Sequence, residues 1–269
     1  MSGPPDIGVP LLQARSVAVR YHTPALAVRG VSFELESGGA LGICGESGSG
    51  KSSLVRALLG LTPLAAGEVL WRGRSLAGFG TGEWQALRRM AQPIFQDPLA
   101  SLDPRMRVGD LLAEPLRLLD GILGRPTWEA RIASMLARVG LSDAVLSRYP
   151  HELSGGQCQR VCIARAMLPG PAVLACDEPV SALDVSIQAQ VIELLRSLHR
   201  EAGVTLIFVS HNLAVVRRLC SRVLVMRGGE VVESGATEAV FANPGHAYTR
   251  QLIAAVPSLP RRQAATTGS

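Results

Sequence analysis

Gly45 to Ser52 reads GESGSGKS and fits the pattern GxxxxGK[ST]. Glycines at this spacing let successive backbone N–H groups curl around phosphate oxygens, and the positive end of a following helix adds to their pull. In that reading Lys51 neutralises the β and γ phosphates and Ser52 holds Mg²⁺. Of the 27 basic residues 26 are arginine, and Lys51 is the lysine that remains. Ala172 to Glu178, AVLACDE, is an apolar run ending in two carboxylates. At the carboxyl edge of an open α/β sheet, Asp177 would face Mg²⁺ through water, and Glu178 could polarise an attacking water. Standing alone, such a pair is a solvated loop start. Leu153 to Gln157, LSGGQ, runs into CQRVCIARAML, so Ser154, Gly155 and Gly156 open a helix with free N–H donors, a second anion site. The plain alternative is an ordinary serine N-cap.

These groups need a scaffold that gathers them. Ala40 to Cys44 is a short apolar run before the glycine-rich turn, and SSLVRALLGL after it has helical spacing, so the order is strand, loop, helix. Ala172 to Cys176, Thr205 to Val209 and Arg222 to Met226 read as buried parallel strands. Ile187, Val191, Leu194, Leu195 and Leu198 repeat at helical intervals across Ile187 to Arg200, the crossover that a parallel sheet requires. Met226 to Glu233, MRGGEVVE, carries a hairpin signal at Gly228 and Gly229, so a small antiparallel element closes the core. Leu111, Leu112, Leu116, Leu118 and Leu119, then Ile132, Leu136 and Val139, are helical patterns broken at Pro104, Pro126 and Pro150. The fold class is α/β: a P-loop NTPase, RecA-like core with an antiparallel β element and an inserted helical subdomain. The expected divisions are 1–96 with 166–235 for the nucleotide core, 97–165 for the helical subdomain, and 236–269 for a C-terminal extension and tail. After Glu238 there is no acidic residue, and RRQAATTGS has little to bury, which predicts a loose tail.

Composition narrows the class further. The chain has 269 residues and 47% hydrophobic content, enough to bury a sizeable core, yet no run reaches the roughly 18 apolar residues of a membrane span. MSGPPDIGVPLL lacks the charge and cleavage pattern of a secretory signal, so a cytosolic protein is expected. Cys44, Cys158, Cys162, Cys176 and Cys220 are odd in number and contain no CxxC pair, against both a disulfide framework and a common zinc site. Cys158 and Cys162 could share a helix face, but no metal cluster is proposed. The net charge of +5 comes from scattered arginines without aromatic interleaving, so no nucleic-acid partner is expected.

Taken together, GESGSGKS, IFQDP, LSGGQ, VLACDEP, SALD and VSH resemble, in order, the ATP-binding subunit of ABC transporters, over nearly the whole chain. LSGGQ about twenty residues before the acidic pair is highly specific for such cassettes among P-loop enzymes. The resemblance implies that Tyr21 stacks on adenine, although alone it would be an ordinary strand tyrosine. It implies that Gly45, Glu46, Ser47, Gly48, Ser49, Gly50, Lys51, Ser52 and Ser53 bind ATP, and that Ser52, Gln96 and Asp177 serve Mg²⁺. Glu178, His211 and Gln96 become the catalytic set, with Gln96 also linking the ATP site to the helical subdomain. An isolated histidine at 211 would otherwise be a helix cap. Ser154, Gly155, Gly156 and Gln157 would contact the ATP of a second cassette facing head to tail, and Asp184 would cross that dimer interface. The segment from Asp97 to about Leu119 resembles the socket for a coupling helix of the membrane subunits.

QDPLASLDPRMRVGDLLAEPLR and NPGHAYTRQLIAAVP are similar to the oligopeptide, dipeptide and nickel importers. The implied partners are a second, paralogous ATPase subunit, two transmembrane permease subunits and, indirectly, an extracytoplasmic solute-binding protein. The implied place is the cytoplasmic face of the inner membrane. Some members bind iron and sulfur through cysteines in that tail, but none follows Cys220 here, so no Fe–S cluster is expected. Asn212, Val180 and Cys176 depart from the family pattern without removing a catalytic group. A soluble accessory ATPase, as in phosphonate degradation, is the alternative, and a DNA-repair or translation-factor cassette a third.

Overall fold

The computed structural model describes residues 9–120 and 125–255. The start of the stretch read for a signal, the side chain of Leu119 and the tail with Arg261 and Arg262 lie outside the described residues.

Two sheets share one core. Strand β1 (Leu12–Arg20) pairs antiparallel with β2 (Leu26–Leu35). Strand β3 (Ala40–Cys44) follows, then the loop and helix α1 (Lys51–Leu58). Strands β4 (Ala66–Trp71) and β5 (Arg74–Ser75) complete an antiparallel sheet of order β2-β1-β4-β5. The antiparallel hairpin expected at Gly228 and Gly229 is present, formed by Arg222–Arg227 and Glu230–Ala236, and this antiparallel sheet is an additional one that the strand patterns did not announce. Its strands carry polar residues and bulges, including Ser16 at φ 47, which blur the two-residue alternation that marks a half-buried strand.

Helix α2 (Thr81–Met90) leads directly into β6 (Ala91–Ile94). A helical stretch then holds α3 (Val108–Asp120), α4 (Arg125–Arg138) and α5 (Gly155–Met167). Pro126 is the second residue of α4, so the break expected there falls at the boundary between α3 and α4, while Pro115 lies inside α3. In the first turn of a helix a proline loses no intrahelical bond, which is why α4 accommodates one there. The expected division at 165 falls within α5.

Strand β7 (Val173–Asp177), helix α6 (Val185–Ala202), strand β8 (Thr205–Ser210), helix α7 (Leu213–Leu219) and the hairpin β9 (Arg222–Arg227) and β10 (Glu230–Ala236) complete a six-stranded sheet. Its order is β10-β9-β3-β8-β7-β6, parallel except at β10. Two short helices follow, α8 (Thr237–Ala242) and α9 (Ala247–Ala254).

Alternation along the central strands divides the core. Leu41, Ile43, Val173, Ala175, Ile207 and Val209 face α1 and the antiparallel sheet. Ala40, Cys44, Leu174, Cys176, Leu206 and Phe208 face the helices of the other layer. Because both faces are covered, these strands read as continuous apolar runs. Gly42 has a packing reason: a Cβ there would come within 2.2 Å of Val216 on α7.

Candidate functional site

Parallel register brings the chemistry to one sheet edge. Cys44 pairs with Ser210 and Asp177 with Val209, while Ile94 pairs with Cys176. The glycine-rich loop, Glu178, His211 and Gln96 therefore all leave the sheet at its carboxyl edge, the usual ligand edge of such folds.

The loop's shape depends on two glycines. Gly45 sits at φ 152, where a Cβ would lie 2.2 Å from the Met226 carbonyl, and Gly50 at φ 99, 2.3 Å from that of Ala27. No other residue fits this close approach of backbone to backbone. Gly229 N donates to Ser49 O at 3.0 Å, so the hairpin supports the loop directly. The buried Lys51 ammonium donates to Gly45 O at 2.9 Å and Glu46 O at 2.7 Å. Burial lowers its basicity, opposed by the nearby Glu178 carboxylate.

Ser52 Oγ donates to Asp177 Oδ1 at 2.8 Å. Glu178 Oε1 lies 4.0 Å from Lys51 Nζ, and its Oε2 lies 3.3 Å from His211 Nδ1. The Glu178 side chain is 15% exposed and that of His211 60%, so the carboxylate is sheltered and the imidazole reaches outward. Glu178 holds φ 48, with its N–H donating to Val209 O at 3.1 Å and its carbonyl accepting from Ser181 Oγ at 3.1 Å. A left-handed backbone at a non-glycine residue costs about 1–3 kcal/mol and is held by such surroundings.

Other expected residues fall around this cluster. Tyr21 lies just past β1 rather than within a strand, and its hydroxyl is 3.1 Å from Ser53 Oγ. Gln96 lines a cleft of about 1050 Å³ together with Ser52, Asp177, Asp97, Glu114 and Leu118. Arg165 spans that cleft's wall, donating to Ser101 O at 3.0 Å and pairing with Glu114. Asn212, not His211, caps α7, accepting the Ala214 N–H at 3.0 Å. That leaves the His211 ring free of a capping role.

Ser154, Gly155, Gly156, Gln157 and Asp184 form a separate group. Ser154 caps α5 in a reciprocal pair: Gln157 N donates to Ser154 Oγ at 3.3 Å, and Ser154 N to Gln157 Oε1 at 3.0 Å. A Cβ on Gly156 would lie 2.7 Å from Ile187 Cγ2, whereas one on Gly155 meets Leu183 at an ordinary 3.5 Å. Asp184 is the N-cap of α6 and is exposed, and Val185 beside it is 82% exposed.

The cysteines are structural. Burial pushes the Cys44 thiol up to about 12 and raises Cys176 and Cys220 as well, which removes thiolate reactivity.

The sequence profile described as ABC transporter matches residues 28–181. The chain belongs to the ABC transporter family. This ABC chain is 52% identical over 231 residues to the oligopeptide transport ATP-binding protein OppF of Escherichia coli K12, covering 86% of the chain and 69% of that protein. It is 49% identical over 267 residues to the glutathione import ATP-binding protein GsiA of the same strain, covering 95% of the chain and 43% of GsiA. Among solved structures, the dimeric post-hydrolysis state of the ATP-binding cassette MJ0796, bound to ADP and Pi, superposes with TM-score 0.77 at 27% identity, covering 84% of the chain and 98% of MJ0796. Clostridium perfringens cbiO1, part of the ABC transporter complex cbiONQ, also gives 0.77 at 27% identity, with coverages of 87% and 92%.

Tyr248 was not anticipated as a site residue. Its hydroxyl accepts the Glu46 N–H at 2.9 Å, a contact between positions 202 residues apart that no local pattern announces.

Proposed function

We propose that this chain is the ATP-hydrolysing subunit of a bacterial ABC importer for di- or oligopeptides or a related small solute, seated peripherally on the cytoplasmic face of the inner membrane. Its partners are a second, paralogous cassette, two permease subunits and, indirectly, a solute-binding protein. The identities to OppF and GsiA support the importer class and a peptide-like solute. Among the described residues no helix is long and apolar enough to cross a membrane, so permeation falls to partners.

The observation that carries the chemistry is the Glu178 carboxylate, held between Lys51 and His211 at the sheet edge. Lys51 and the loop N–H groups bind the ATP phosphates, and Tyr21 stacks on adenine. Glu178 takes the proton of the attacking water, a role worth about 10²–10⁴ in rate. His211 steadies that carboxylate and contacts the γ-phosphate side. The donor set of Ser52 hydroxyl and Asp177 carboxylate, with Gln96 on the same cleft, suits a small hard cation. Mg²⁺ bound there would offset the phosphate charge. Ser154, Gly155, Gly156, Gln157 and the exposed Asp184 and Val185 meet the partner cassette, so nucleotide becomes an interface ligand whose binding drives closure.

The test is purification of the Glu178→Gln protein from native membranes with ATP, followed by mass spectrometry. Two permease-like membrane proteins and a second cassette are the expected result. A soluble enzyme complex free of membrane proteins would replace the importer with an accessory ATPase. Wild-type turnover in the variant, beside an inactive partner cassette, would remove Glu178 as the base.

A further inference from the structure

One peptide plane of the phosphate loop is held from both ends. The Gly45 carbonyl accepts from Lys51 Nζ at 2.9 Å, and the N–H of the same peptide, that of Glu46, donates to Tyr248 Oη at 2.9 Å. With no Cβ on Gly45, this plane has fewer steric restraints than at another residue, and the two hydrogen bonds fix its orientation. Tyr248 is itself rigid. It is 2% exposed, and the Arg227 guanidinium lies 5.0 Å from its ring centroid. The start of its helix is fastened to β10: Glu233 accepts Gly245 N at 2.7 Å and His246 N at 3.0 Å, and His246 Nδ1 accepts Tyr248 N at 3.1 Å.

We propose that Tyr248 is a positioning residue for ATP: its hydroxyl fixes the Gly45–Glu46 peptide plane and, through it, the Lys51 ammonium. The C-terminal segment thereby becomes part of the nucleotide site through the Glu46 N–H. The proposal rests on the reading of Gly45 to Ser53 as the ATP site. It accounts for the C-terminal segment in terms of nucleotide affinity, independently of any solute.

Tyr248→Phe removes one oxygen and keeps the ring. Equilibrium ATP binding to the full chain, and KM and kcat of the assembled complex, are measured beside wild type and Lys51→Ala. The expected result is a Kd and KM for ATP about 3–10-fold higher in Tyr248→Phe, the range of one lost hydrogen bond, with kcat within about twofold. Unchanged Kd and KM, whatever the effect on melting temperature, would overturn the proposal, because a purely structural hydroxyl moves stability alone. If Lys51→Ala binds ATP as wild type does, the assignment of the loop fails first, and the proposal with it. Should Tyr248→Phe not fold, hydrogen exchange at the Glu46 amide of the wild-type chain decides by NMR. Protection well above that of exposed loop amides supports the bond, and free exchange refutes it.

Discussion

Ser52 donates its hydroxyl to Asp177 across 125 residues of sequence, joining the start of α1 to the end of β7. The carboxylate is buried, and burial raises its pKa above the ordinary range, outweighing the Ser52 hydrogen bond and the positive charges of Arg56 and Lys51. A carboxyl whose folded pKa is raised contributes stability below its unfolded pKa and loses it as pH rises through the folded one. Ionising Asp177 therefore works against folding. Asp177→Asn should melt higher than wild type at pH 7 while losing ATP turnover. The gain should vanish in scans below the ordinary carboxylate pKa. A melting temperature below wild type at pH 7 would contradict this account.

Tyr21 offers a ring and a hydroxyl, and only the ring is expected to matter for nucleotide. Tyr21→Phe gives up the contact with Ser53 and should bind ATP like wild type. Tyr21→Ala should raise Kd by about tenfold, within the ~1–3 kcal/mol of base–aromatic stacking. Because every base has a π-face, the loss should be similar for GTP. Calorimetric titration of both nucleotides distinguishes stacking from a hydrogen bond, which would make the Phe variant the weaker one.

Asn212 replaces an acidic residue expected from the family pattern, and the structure gives it a job that either residue can do. Its Oδ1 caps α7. Asn212→Asp should leave urea unfolding unchanged to within a few tenths of a kcal/mol, since both are good caps. Asn212→Ala should cost about 1 kcal/mol and, by loosening the turn that holds His211, lower kcat with little change in KM. An Ala variant as stable as wild type would remove the cap from the argument.

Gly155 and Gly156 are neighbours with opposite expectations. Gly156→Ala drives a methyl group to 2.7 Å from Ile187 and should destabilise the isolated chain by about 1–3 kcal/mol. Gly155→Ala meets only an ordinary contact and should fold as well as wild type. Its effect should appear in the assembled complex, as lost ATP-dependent closure seen by scattering or cross-linking. Full closure and turnover in Gly155→Ala would argue against this helix start facing the partner's nucleotide.

The central strands were legible in sequence because both their faces are buried, which turns β3, β7, β8 and β9 into unbroken apolar runs between polar ends. The placement of the glycine-rich loop between β3 and α1, and of Asp177 and Glu178 at the end of β7, was legible because their spacing is local. The antiparallel sheet was not, since its strands are half-exposed and bulged. Strand β6 was hidden by Pro93, which is tolerated because β6 lies at the sheet edge, where an absent N–H costs no ladder bond. Pro126 did mark the boundary between α3 and α4, whereas Pro115 sits inside α3 without ending it. Tyr248 left no mark in the sequence, because its partner is chosen by tertiary packing.

The strand order β9-β3-β8 also sets a timetable. On the ribosome, β3 and its loop emerge long before either flanking strand, and Gly38 meets Thr205 only after 167 further residues. At about 5–20 residues per second, the loop waits on the order of ten seconds or more without the neighbours that shape it. The nascent chain therefore completes the surroundings of this loop late, when the hairpin and the last helices arrive. A polypeptide cut short before that point carries the glycine-rich motif without the Gly229 and Tyr248 contacts that hold it.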